Sequence, residues 1–263
     1  MASEPPPAGR MGEAHLAFVF LSRLPLPRLS DAAARTPVAR ASWAFPLVGL
    51  LIGLAGAVTV WTGVLLDLPS LVTALAALAV TIVLSGALHE DGLGDVADGF
   101  GGGHTRDRKL EIMRDSRVGS YGVLALVFSI GLRATALSAL MNAGGPAAAA
   151  AALMVAAGLS RAAIPVAMVL LPPARSDGLG AGAGTPGAWR VGLALILAGA
   201  ATAVLLPAAM LAPVFALTLI AVLLMTGLAR RQIGGHTGDV LGAVEQCVQA
   251  TVLITLATLI GGN

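Results

Sequence analysis

The chain has 263 residues, of which 57% are hydrophobic and 11% charged, with a formal net charge of +2. A water-soluble domain carries about 25% charged residues, so an ordinary soluble fold is excluded and an all-α integral membrane protein is expected. So small a net charge identifies no partner. The single cysteine, Cys247, excludes an intrachain disulfide.

In chain order, residues 1–9 are rich in Pro and Ala and carry no basic n-region. This predicts a disordered lead-in over 1–10, no signal peptide, and one helical domain over 11–263. Residues 13–24 are apolar but short and stop at Pro25 and Pro27, which fits an interfacial or buried half-helix. Residues 27–42 are polar and carry Arg28, Arg35 and Arg40. Apolar runs approaching the ~20 residues of a membrane-spanning helix are expected at 44–66, 71–88, 121–141, 147–171, 189–206, 210–228 and 244–260. Tight turns are expected at 67–70 and 142–145, and around Pro207 and Pro213. Residues 172–188, with Arg175 and Asp177, and residues 230–242 are polar.

If the N-terminus is cytoplasmic, the outer segments 67–70, 142–146, 207–213 and 261–263 contain no Lys or Arg. The inner segments hold fourteen of the sixteen bases, counting as inner Arg23 of the entry half-helix and Arg190 at the inner edge of the 189–206 run, and Arg133 and Arg161 lie within spans. Cytoplasmic loops carry the basic excess. The chain is therefore expected to have about seven transmembrane helices, with its polar active-site loops on the cytoplasmic face.

Polar chemistry concentrates between His89 and Gly119. Seven of fourteen acids lie there (Glu90, Asp91, Asp95, Asp98, Asp107, Glu111, Asp115), with five of sixteen bases (Arg106, Arg108, Lys109, Arg114, Arg117). Asp91, Asp95 and Asp98 are spaced i, i+4, i+7 and share one face of a helix, with Glu90 at its edge. Converging carboxylates repel and raise one another's pKa, and a divalent cation relieves that repulsion. All-oxygen ligands favour Mg²⁺, Mn²⁺ or Ca²⁺ over zinc. Gly92, Gly94 and Gly99 weaken the helix but admit a bulky phosphate close to the backbone.

The alternative is a solvated acidic loop. His89 is open to two readings, a ligand or base and a structural hydrogen-bonder. Arg114 and Arg117, around Asp115 and Ser116, can turn one way toward phosphate oxygens, whereas Arg106 and Arg108 read as topological anchors. Arg133 and Arg161 are costly inside apolar spans and are expected to face a protein interior or wet cavity. Arg161, beside Ser160, either reaches a phosphate or makes a structural pair. The Gly-rich turn 234–239 brings His236, Thr237 and Asp239 to the same membrane face, just before Glu245 and Gln246 open the last span.

Five stretches carry a family resemblance: HEDGLGDVADGFGGG with LEIMRDSRVGSYG, FLSRLPLP near the N-terminus, LPPARSDGLGA at 171–181, and GGHTGDVLGAVEQ at 234–246. In this order they resemble the cobalamin synthase family, the adenosylcobinamide-GDP ribazoletransferases, over most of the chain. Gly94 departs from the expected Ala and loosens the helix slightly. The resemblance implies a Mg²⁺-dependent enzyme of the bacterial inner membrane. It joins adenosylcobinamide-GDP to α-ribazole, or to α-ribazole 5′-phosphate, and releases GMP. In this reading Glu90, Asp91, Asp95 and Asp98 hold one or two Mg²⁺ on the diphosphate. Asp98 accepts the proton of the attacking ribazole 3′-hydroxyl, with Asp95 and His89 as further catalytic candidates. Arg114, Asp115, Arg117, Arg161, Thr237, Asp239 and Gln246 serve the phosphates and substrates. The layout is analogous to that of CDP-alcohol phosphotransferases.

The rival class is a divalent-cation transporter. Transporters place coupling sites near the bilayer midplane, whereas these acids map to the membrane edge, with none inside a span. A third class is a scaffold for other cobamide-pathway enzymes, alone or as a homo-oligomer. No nucleic-acid partner is expected.

Overall fold

The computed structural model of the chain describes residues 8–175 and 182–262. Most of the expected lead-in, residues 176–181 of the polar loop, and Asn263 lie outside the described residues. Within them the regular structure is helical: α1 (Arg10–Leu21), α2 (Asp31–Ala34), α3 (Val38–Ala41), a 3-10 turn (Ser42–Ala44), α4 (Phe45–Leu65), α5 (Ser70–Ser85), α6 (Leu88–Gly102), α7 (Arg106–Ile112), α8 (Ser120–Leu170), α9 (Ala188–Leu205), α10 (Ala208–Ile233) and α11 (Gly238–Gly261). Five helical stretches among the described residues are long and apolar enough to cross a membrane: Val38–Leu65, α8, α9, α10 and α11. The number is six if α5 and α6, bent by 92° to each other, are one broken span.

Helix α8 has 51 residues, or about 76 Å at 1.5 Å per residue, more than twice the ~30 Å hydrocarbon core. It breaks at Gly145, whose φ of 76° and ψ of 178° are non-helical, and Pro146 follows. The expected turn 142–145 is therefore narrower than its sequence suggests. The two arms fold back on one another. On one straight helix Arg133 and Arg161 would stand about 42 Å apart, yet both belong to one chain of short polar contacts. Arg133 reaches Glu90 at 3.3 Å, Gln246 bridges Glu90 and Glu245 at 3.0 Å each, and Arg161 reaches Glu245 at 3.0 Å.

Small residues let the backbones meet. A Cβ on Gly49 would lie 2.1 Å from the Ala157 carbonyl oxygen, and one on Gly53 2.7 Å from Met154 Cα. Helix α4 thus lies directly on the second arm of α8, as small residues at helix contacts allow. Helix α11 is central, with 67% of its most apolar window buried against 11% for α10. Val83, Phe128, Ile196 and Leu224 are exposed on the outer helices. Such a belt is an aggregation surface in water and the expected one in lipid.

The polar segments meet at one end. Buried Glu13 of α1 accepts hydrogen bonds from Arg40 (3.0 Å), Trp43 (3.1 Å) and Arg190 (2.9 Å). Arg106 of α7 donates to the Ile233 carbonyl at 2.9 Å and to that of Ala174. At the opposite end Ser70 bonds Asn142 at 2.6 Å.

Several expected boundaries shift. Helix α5 ends at Ser85, three residues before the expected limit, because Gly86 (φ 67°) and Ala87 (φ 55°) are left-handed. Only Leu206 and Pro207 separate α9 from α10, since Pro213 sits inside α10. Helix α10 runs on to Ile233, and α11 starts at Gly238, capped by Thr237. Glu245 therefore lies two turns inside α11, fully buried. This corrects the expectation that no span interior holds an acid; Arg161 makes the burial tolerable.

Candidate active site

Helix α6 carries five glycines in fifteen residues, a poor helix former by propensity. Packing holds it instead. A Cβ on Gly92 would lie 2.9 Å from Asp239 Cα, one on Gly242 3.2 Å from His89 Cα, and one on Gly101 2.7 Å from the Tyr121 ring. The glycines thus let α6 lie against the start of α11 and the start of α8. The 92° bend turns α6 away from the apolar α5, so its carboxylates do not continue that span.

The four expected acidic ligands do not act as one group. Asp91 is exposed and Asp95 half-buried. Burial first, then the carboxylates of Asp91, Asp239 and Asp98, push Asp95 up to about 7 against the opposing pull of Arg175. Asp239 stands in the first turn of α11 and accepts a hydrogen bond from Thr237 at 3.0 Å. Arg175 lies 3.7 Å from it, and among the described residues Arg175 Nη1 is buried without a hydrogen-bond partner. Arg175 is held there by paired backbone: the Ala174 amide donates to the His236 carbonyl and the His236 amide to the Pro172 carbonyl, both at 2.8 Å.

Asp98 faces the other way. Its oxygens accept from the amides of Gly119 (2.7 Å) and Gly122 (2.9 Å). Helix α8 begins at Gly119 with no side-chain cap of its own, so Asp98 caps it from α6. Glu90 faces the bundle interior, where its Oε1 accepts from Arg133 and Gln246. His89, also buried, lies 3.7 Å from Glu245. Glu245 further accepts from Ser160 at 2.7 Å, and Arg133 also donates to Gln249. Arg161, Gln246, Glu90 and His89 thus belong to one buried lattice under the carboxylates. Arg133, Ser160, Glu245 and Gln249, absent from the expected site, complete it. A charged residue in each of two apolar runs was the available signal.

The basic segment is separate again. Exposed Arg117 forks onto Asp115, with bonds of 2.7–3.2 Å, and holds its carboxyl well below the usual range. Arg106 closes the carboxyl end of α10 through the Ile233 carbonyl.

Among the described residues no group of three or more His, Cys, Asp or Glu side chains is placed to hold a metal ion. Magnesium usually takes one or two protein carboxylates, with water and phosphate oxygens completing its shell. Asp91 and Asp239, whose charges add to burial in raising Asp95, are oxygen donors of the kind and number that such a hard divalent cation takes.

The cobalamin-5-phosphate synthase (CobS) family model matches residues 13–257. An adenosylcobinamide-GDP ribazoletransferase of Bradyrhizobium diazoefficiens is 47% identical over 248 residues, covering 94% of this chain and 94% of the relative. Proteins of the same name from Azorhizobium caulinodans and Rhizobium etli are 47% and 44% identical, over 90% and 92% of this chain and 92% and 95% of theirs. No solved structure matches the chain.

Proposed function

The chain belongs to the cobalamin-5-phosphate synthase family, and on that footing we propose that it joins adenosylcobinamide-GDP to α-ribazole, or to α-ribazole 5′-phosphate, and releases GMP. The ribazole 3′-oxygen forms a bond to the phosphorus bearing the cobinamide arm. The bond from that phosphorus to the GMP oxygen breaks. Catalysis of such a transfer is mostly positioning and charge stabilisation.

The observation that carries the reading is the meeting of Asp91 and Asp95 of α6, Asp239 of α11 and Arg175 of the 172–175 segment at one polar end of an apolar bundle. Asp91 and Asp239 are the side chains that would hold Mg²⁺. When bound, the metal offsets the diphosphate charge and stabilises the departing phosphate. Asp95, poised near neutral pH, takes the proton of the 3′-hydroxyl. Arg175 directs its unpartnered Nη1 to a phosphate oxygen, and Arg114 and Arg117 supply outer contacts to the donor. Asp98, Glu90 and Arg161 keep α6 in place.

Counting the two arms of α8 separately and α5 as a span gives seven crossings. The basic end then faces the cytoplasm, across a bacterial inner membrane. The deciding experiment is GMP release by the purified protein in detergent, with and without Mg²⁺. Asp91→Asn and Asp95→Asn are expected to abolish release while inserting normally. Full activity in either would remove its assignment.

A further inference from the structure

Beside the carboxylates lies a cavity of about 140 Å³, walled by Phe20 and Leu21 from the end of α1, Ile164 of α8 and Leu241 of α11. Its polar edge is His89, Asp91 and Asp239. We propose that this cavity seats the planar base of the acceptor nucleoside, with the ribose at its mouth. The assignment rests on the transfer reaction proposed above and adds where its second substrate binds.

Size excludes the corrinoid, whose macrocycle far exceeds the space, and admits one flat heterocycle of one or two rings. The lining then chooses among the three bases in the reaction. Guanine, and the adenine of the adenosyl group, carry donors and acceptors on several edges, and apolar walls would leave them unpaired at a cost. The cavity offers one buried polar atom without a partner, His89 Nε2 on a side chain 3% exposed. With its proton on Nε2, that single group donates to the one free ring nitrogen of such a base. Phe20 supplies an aromatic wall, itself fixed by stacking on Phe45 at 6.5 Å and 24°.

Position completes the argument. Asp91 and Asp239 belong both to the cavity edge and to the carboxylate cluster. A nucleoside held by its base therefore presents its ribose hydroxyls where the reacting phosphorus is held, which is the proximity that transfer needs. The seat also gives a use to the end of α1, which the chemistry alone leaves idle.

The test varies each substrate in turn against the detergent-solubilised full chain. Leu241→Phe and Ile164→Phe, which fill the cavity, are expected to raise the KM for α-ribazole at least tenfold and leave the KM for adenosylcobinamide-GDP within twofold. In the wild-type protein, α-ribazole alone is expected to protect amides of residues 16–24 and 238–245 from hydrogen exchange, a readout that holds even if a filled variant fails to fold. Protection elsewhere, or a raised KM for the GDP substrate instead, overturns the assignment. Absence of GMP release by the wild type, with protection at these segments intact, would instead remove the reaction and leave the seat.

Discussion

Asp95 is the residue whose environment makes the sharpest demand. Its carboxyl stands near 7 in the metal-free protein, and a cation on Asp91 and Asp239 lowers it from there; kcat/KM is expected to fall as pH drops through that value, because the free enzyme's base becomes protonated. A rate profile flat down to pH 5 would remove Asp95 as the base. The metal-free protein should respond oppositely in stability. A carboxyl raised from 3.8 binds its proton more tightly folded than unfolded, so its contribution falls as pH climbs from about 4 to 7. Arg175→Ala is expected to raise the KM for adenosylcobinamide-GDP by roughly tenfold or more, about the value of one charge-assisted contact, with Arg175→Lys restoring part of it. An unchanged KM in steady-state kinetics counts against the phosphate role. The i, i+4, i+7 spacing of the aspartates was legible in the sequence. Arg175 was not, because its place depends on backbone pairing between Ala174 and His236, which no local pattern encodes. The reverse holds for Asp98, whose spacing suggests a ligand while the uncapped start of α8 claims both its oxygens.

At the scale of the element, α6 stays helical against its glycine content because two other helices need its bare face. Helix α11 shows the same dominance of packing over local composition. Its first turns read as polar loop, yet Glu245, Gln246 and Gln249 find partners inside the bundle and the helix runs from Gly238. Span interiors were legible from hydrophobicity; helix ends were not, since they depend on caps and buried partners. Glu245→Gln leaves Arg161 with an unmatched buried charge, a loss of about 3–5 kcal/mol. Thermal unfolding in detergent should fall by roughly 10 °C, and Arg161→Met with Glu245→Leu should recover part of it. Equal Tm values for wild type and Glu245→Gln would show that the pair carries no weight. Gly53→Val puts a side chain into Met154. Overpacking of this kind costs about 1–3 kcal/mol, to be read from the same melts.

For the whole molecule, of the short turns that read as outer, 67–70 touches 142–145 through Ser70 and Asn142, and Gly144 lies beside Ile260 near the end of α11. The proposed seven crossings put these turns on one side. In a Cys247→Ser background, Ala143→Cys is expected to react with an impermeant thiol reagent on spheroplasts, and Arg108→Cys only after lysis. The reverse pattern would invert the topology. The fold-back of α8 at Gly145 has a consequence for how the enzyme works. Both arms grip the same buried lattice, and Asp98 fastens α6 to the first of them, so the catalytic floor has no slack. Any movement that admits a bulky donor is therefore expected outside this floor.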